Sequence, residues 1–195
     1  MMRAVTLTIR PRRDDDLTAL GRALVEQQSA SGYPHREPLP MPAEEFIARP
    51  GSLAAWTAEV DGQPVGHIAV LPVSADGREP ELARLWSAGH GLPAERLGEV
   101  GVYFTASHVR GTGVGSALLR TALADLADRG LAPCLDVVPT GAAVEVYRRA
   151  GWIEVGSTRP SWLSAGAPDV IAMILPTDRG DAGTPRPHGG TRAPR

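Results

Sequence analysis

The sequence reads as strands and helices in an α/β element order, and three observations carry that reading. An apolar, β-branched segment at Glu99–Thr105 runs through a glycine-rich turn into an amphipathic helix. An Asp61-Gly62 dipeptide stands between two strand-like runs and signals a hairpin. The 195 residues, 43% of them hydrophobic, suit one globular domain and leave no room for a second full one. That domain is expected over residues 1–176.

In chain order, Val5-Thr6-Leu7-Thr8-Ile9 alternates apolar and polar residues, as a half-buried strand does. Pro11 and the acidic run Asp14-Asp15-Asp16 offer a helix start, and Leu17, Leu20, Leu24 and Val25 continue the helix on one face. Prolines interrupt the pattern from Ser31 to Pro50, with a short helix expected at Glu44-Glu45-Phe46-Ile47. Ser52–Val60 and Gln63–Val73 flank the hairpin turn and are expected as adjacent antiparallel strands. Residues 74–98 form an insertion with a turn at Asp76-Gly77 and a short helix at Glu81–Trp86. Capping the sheet is the favoured role for it, since short amphipathic segments bury apolar surface; shaping a pocket is the other. After the strand at Glu99–Thr105, the residues Val114, Leu118, Leu119, Ala122, Leu123 and Leu126 recur at helical spacing up to Gly130. Leu135–Val138 is strand-like, Ala142–Ala150 helical, and Trp152–Ser157 with Val170–Leu175 make a last strand pair. From Thr177 onward Pro, Gly and Arg dominate without apolar periodicity, and this tail is expected to be disordered.

Composition narrows the function classes. A formal net charge of −2 gives no electrostatic argument for nucleic acid, which binds through neutralised phosphates. The single cysteine, Cys134, excludes an intrachain disulfide and sits in an apolar strand candidate, where a small buried thiol is the plain expectation. The amino terminus lacks an apolar signal-peptide core and no stretch is long enough to span a bilayer, so no membrane partner and a cytoplasmic location are expected. His35 and His108 are expected as exposed loop residues, and no His/Cys/Asp/Glu cluster has metal-ligand spacing, so no metal is expected.

The run Val109-Arg110-Gly111-Thr112-Gly113-Val114-Gly115 carries the chemistry. The first turn of a helix holds N–H groups without intrahelical partners and the positive end of the peptide dipoles, and glycine keeps Cβ atoms out of an anion's way. A Walker loop is excluded, because Ser116 stands where its lysine would follow Gly115. A dinucleotide fingerprint has Gly111-x-Gly113, with Asp136 near the end of the next apolar run, but Ser116 replaces its third glycine. Ala106–Arg110 also separates the strand from the turn.

The remaining description, Arg110-Gly111-Thr112-Gly113-Val114-Gly115, resembles the acyl-CoA pyrophosphate loop of the GCN5-related N-acetyltransferase (GNAT) family. Downstream, Tyr147-Arg148-Arg149-Ala150-Gly151-Trp152 looks like that family's tyrosine helix followed by a glycine and an aromatic. The resemblance covers residues 5–176, with its specificity between 99 and 152. Two positions depart from the family pattern: Ser107 where a proline is usual, and Thr140 where an asparagine often contacts the cofactor.

The resemblance implies a mixed, mostly antiparallel central sheet flanked by helices, and transfer of an acetyl group from acetyl-CoA to a small-molecule amine or an exposed protein amino group. It assigns cofactor contacts to Phe104, Thr105, Arg110, Gly111, Thr112, Gly113, Val114, Gly115, Ser116, Thr140 and Tyr147. Catalytic roles go to Tyr147, as the acid that protonates the coenzyme A thiolate, and to Glu99, as the base that takes the amine proton. The residues leave other descriptions open: Tyr147 as an aromatic packed on Trp152, Glu99 as a solvated strand-end carboxylate, and Arg110 lying over preceding carboxylates. A main-chain N–H in the Phe104–Ala106 region is the implied oxyanion donor. Tyr33, His35, Trp86 and Trp162 fall in segments that could border the acceptor cleft. The resemblance also allows a homodimer. Two other functions stay open at this point, a non-catalytic acyl-CoA-binding module and a dinucleotide-dependent oxidoreductase.

Overall fold

The computed structural model describes residues 6–36 and 38–177. Its elements are β1 (Leu7–Pro11), α1 (Leu17–Ser31), α2 (Ala43–Ala48), β2 (Ala54–Val60), β3 (Gln63–Pro72), α3 (Pro80–His90), β4 (Leu97–Thr105), α4 (Val114–Asp128), β5 (Ala132–Val137), α5 (Ala143–Arg149), β6 (Ile153–Thr158) and β7 (Val170–Ile174). One sheet carries the strands in the order β1-β2-β3-β4-β5-β7-β6. Every neighbouring pair is antiparallel except β4 beside β5. The expected mixed, mostly antiparallel sheet is therefore present. Val5 and the tail from 178 to 195 lie outside the described residues.

Local sequence accounts for most elements. Asp61 and Gly62, at φ 50° and 80°, close the hairpin so that Val60 pairs with Gln63. Helix α1 stops at Gly32, whose φ of 71° suits a left-handed cap. Leu20 and Leu24 are fully buried on it, whereas Val25, expected on the same face, is 55% exposed because it stands a full 100° round the helix from Leu24. Asp16, at the helix start offered by the acidic run, is buried and accepts hydrogen bonds from Arg10, the Arg13 N–H and Thr57 Oγ1.

Strand β3 is buried at six consecutive positions, so both of its faces are covered, and α1 and α4 both pack on it. The helix expected at Glu81–Trp86 extends over Pro80–His90, because Pro80 can open the first turn and Gly91, in the left-handed conformation, closes the last. It packs on β5, β6 and β7 and buries Leu82, Ala83 and Trp86 in a satellite core with Cys134, Val170 and Ile174, which is the capping role. The last residues of the expected insertion, Leu97 and Gly98, begin β4 instead.

Two irregularities of β4 shape the centre of the sheet. Its register against β3 slips between His67 and Ala69, and Val102 there has φ 48°. A β-branched residue in that region costs about 1–3 kcal/mol; the buried His67 ring helps hold the bulge, with Nδ1 2.8 Å from the Val102 carbonyl oxygen. On the other side, β4 pairs with β5 only from Leu97–Glu99 to Ala132–Cys134. Beyond Glu99, β4 stays bonded to β3 as far as Thr105, while β5 pairs with β7 through Val137. Two strands separating in mid-sheet leave main-chain groups without ladder partners, free to bond to water or a ligand.

Candidate active site

A cavity of about 620 Å³ opens where β4 and β5 part. At one end, α4 begins at Gly113, and the first helical bond inward is from the Ala117 N–H to the Gly113 carbonyl at 3.0 Å. The N–H groups of Val114, Gly115 and Ser116 precede it and so lack α-helical acceptors. Gly111 and Gly113 have φ 76° and 91°, and a Cβ at either would meet nothing within 4 Å. The turn thus presents open space in front of a positive helix end. Gly115 is needed for close approach, because a Cβ there would stand 2.8 Å from the Tyr103 hydroxyl.

Of the residues assigned from sequence, Glu99, Phe104, Thr105, Arg110, Gly115, Thr140 and Tyr147 share the cavity wall. Gly111, Thr112, Gly113, Val114 and Ser116 stand beside it rather than on it. Val114 turns its side chain into the core, and Thr112 Oγ1 donates to the Val109 carbonyl at 2.7 Å, so both offer a ligand main chain only. The Arg110 guanidinium does not lie over carboxylates: Nη2 donates to Gln27 Oε1 at 2.9 Å, tying the loop to α1. Thr140 faces His35, with Oγ1 3.3 Å from Nε2, so His35 is half-buried rather than the exposed loop residue expected. Within the expected oxyanion region, the Ala106 N–H is already committed to the Val65 carbonyl at 2.7 Å.

Tyr147 combines two descriptions kept apart at the sequence level. Its ring meets Trp152 edge-on at 5.8 Å between centroids, and it also lines the cavity. Burial pushes its phenol well above the ordinary tyrosine range, so the hydroxyl holds its proton at neutral pH. Tyr103 is pushed up to about 12 for the same reason.

Glu99 is not a solvated strand-end carboxylate. It lies inside β4 and shares the cavity with Asp136 of β5. Burial and the neighbouring Asp136 carboxylate both push the Glu99 acid upward. Asp136 is raised too, by burial first and then by Glu79, against the pull of Arg49 and Arg36. Two carboxyls sharing one cavity resist ionising together, because each charge disfavours the other.

Tyr33, His35, Trp86 and Trp162, expected near an acceptor cleft, all line this same cavity. Trp86 also anchors it, since its indole N–H donates to the Leu135 carbonyl at 3.0 Å. Helix α3 therefore shapes the pocket as well as capping the sheet. Arg36, Arg49, Tyr103 and Glu79 escaped sequence reasoning, because they belong to no motif and meet only through the fold; Asp136 was visible only as a dinucleotide candidate. Cys134 is fully buried with its thiol pushed up by burial, which leaves it unreactive. No group of three metal-ligating side chains and no helix long and apolar enough to cross a membrane occurs among the described residues.

Comparison with known proteins gives this arrangement a family. The model of the acetyltransferase (GNAT) family matches residues 21–152. A mycothiol acetyltransferase of Cellulomonas flavigena is 34% identical over 137 residues, which are 64% of this chain and 35% of that protein, so the chain spans about a third of that curated relative. Among solved structures, a ribosomal-protein-alanine N-acetyltransferase from Brucella melitensis superposes with a TM-score of 0.62 at 23% identity, covering 86% of this chain and 98% of that one. An aminoglycoside acetyltransferase in complex with coenzyme A gives 0.63 at 17% identity, covering 87% and 94%. At these identities the structures speak for the fold, and the family model for the sequence: the chain belongs to the GNAT acetyltransferase family.

Proposed function

We propose that this protein transfers an acetyl group from acetyl-CoA to a primary amine by direct attack in a ternary complex. The observation that carries the reading is one cavity that has the open N-terminus of α4 at its edge and a proton-holding tyrosine and a pair of carboxyls that resist ionising on its wall. Related proteins named as acetyltransferases support it.

The residues fit the donor. The helix start and open glycine turn suit a pyrophosphate, and the gap between β4 and β5 offers main-chain groups to an extended arm. Bound acetyl-CoA would supply a thioester whose C–S bond breaks as the amine nitrogen bonds to the carbonyl carbon. The chain's task is then proton management. An alkyl amine is mostly protonated at neutral pH, and Glu99 with Asp136 takes the proton that makes it nucleophilic. Tyr147 gives its hydroxyl proton to the departing thiolate, and the main-chain N–H of Thr105, which alternation along β4 turns away from β3, stabilises the oxyanion.

The test is thiol release from acetyl-CoA with a panel of amines, beside calorimetric binding of acetyl-CoA. Amine-dependent release supports transfer. Binding without release favours the non-catalytic module, and stabilisation by a nicotinamide dinucleotide in place of acetyl-CoA favours the oxidoreductase.

A further inference from the structure

The same cavity carries guanidinium and carboxyl groups that the fold does not bring into ion pairs with one another. Arg36 and Arg49 line the wall, and neither forms an ion pair within 4 Å among the described residues. Aromatic faces hold them instead: the Arg36 guanidinium lies 4.7 Å from the Trp162 ring centroid and that of Arg49 lies 5.7 Å from Phe46. A cation–π contact draws on the charge of a guanidinium and uses none of its N–H donors in hydrogen bonds. Arg49 Nε is buried without a hydrogen-bond partner. The carboxyls Glu99 and Asp136 share the wall, and Glu79 Oε1 is likewise buried without a partner.

Guanidinium and carboxyl groups held in one cavity without direct contact leave polar atoms unsatisfied, and a ligand with both an acidic and a basic end can bridge them. We propose that the acceptor is a zwitterion of the α-amino-acid type, its carboxylate held by Arg49 with Arg36 and its amine directed to Glu99 and Asp136. This rests on the acetyl-transfer reading above. A guanidinium edge matches a carboxylate in two parallel hydrogen bonds, which fixes orientation as well as affinity. The amine then lies beside the groups that take its proton, so the anchor also aligns the nucleophile.

The experiment compares common α-amino acids with their methyl esters and their decarboxylated amines in the thiol-release assay, with calorimetric titration of acetyl-CoA alongside. The expected result is kcat/KM about tenfold or more higher for the best amino acid than for its ester, the worth of one charge-assisted hydrogen bond. Arg49→Gln should raise KM for that amino acid by about tenfold or more with a smaller change in kcat, Arg49→Lys should recover part of the loss, and acetyl-CoA affinity should hold in both. Equal or better turnover of esters and amines overturns the inference and leaves acetyl transfer standing. Acetyl-CoA binding with no amino acid acetylated also overturns it. Failure of acetyl-CoA to bind overturns the reading on which it rests. Should Arg49→Gln melt early, the ester comparison on the unaltered protein still decides the matter.

Discussion

Replacing Gly113 by alanine isolates the glycine turn from everything around it. At φ 91° the residue is left-handed, where a side chain costs about 1–2 kcal/mol. No heavy atom lies within 4 Å of the added Cβ, so there is no clash to add to that cost. For a domain of this size the loss lowers Tm by about 2–8 °C. Gly62 is the matched control, since its φ is 80°, its Cβ also meets nothing, and it sits in the hairpin away from the cavity. Both variants should therefore melt earlier by similar amounts. Only Gly113→Ala places a methyl group in the space before the α4 N-terminus. If pyrophosphate oxygens occupy that space, one or more charge-assisted hydrogen bonds of about 1.5–3 kcal/mol are lost, and acetyl-CoA binding weakens about 10- to 150-fold. Thermal melts and calorimetric titration with acetyl-CoA measure the two effects separately. Equal affinity in both variants, with equal loss of Tm, would refute the assignment of the turn as the phosphate cradle.

Three further outcomes follow from the geometry. Tyr147→Phe keeps the ring against Trp152 and removes only the hydroxyl, so kcat should fall about ten- to a thousandfold with little change in acetyl-CoA affinity; unchanged kcat removes the acid role. Glu99→Gln acts on stability with a definite sign. The folded state raises this acid, so it weakens folding increasingly as pH climbs above the unfolded value of 4.5, and the variant's advantage in Tm should be larger at pH 9 than at pH 5; a constant difference counts against a buried, raised carboxyl. Asp16 has the opposite sign. Burial alone would raise it, but hydrogen bonds from Arg10, the Arg13 N–H and Thr57 prevail and leave it at about 2, against 3.8 unfolded. Its contribution of about 2 kcal/mol is present above pH 3.8 and lost as pH falls through 2, so Asp16→Asn should be less stable at pH 7 and approach the parent near pH 2 in denaturant titrations.

The sequence by itself determined what is local. Apolar spacing, the Asp61-Gly62 turn and the glycines before α4 set the elements and their order, because helix periodicity, hairpin geometry and left-handed turns depend on residues close in the chain. The glycine turn before α4 and the Tyr147 helix were legible for the same reason, each lying in a contiguous run of residues. Tertiary structure alone decided the parting of β4 from β5, since these two strands are separated in the chain by α4 and how far they stay paired is not a property of residues close in sequence. It also decided that Glu99 stands half-buried in one cavity with Asp136, and that Arg36 and Arg49 reach the same cavity on Trp162 and Phe46. A proton affinity or an unpaired charge is a property of surroundings, and those surroundings come from segments that share no spacing in the sequence.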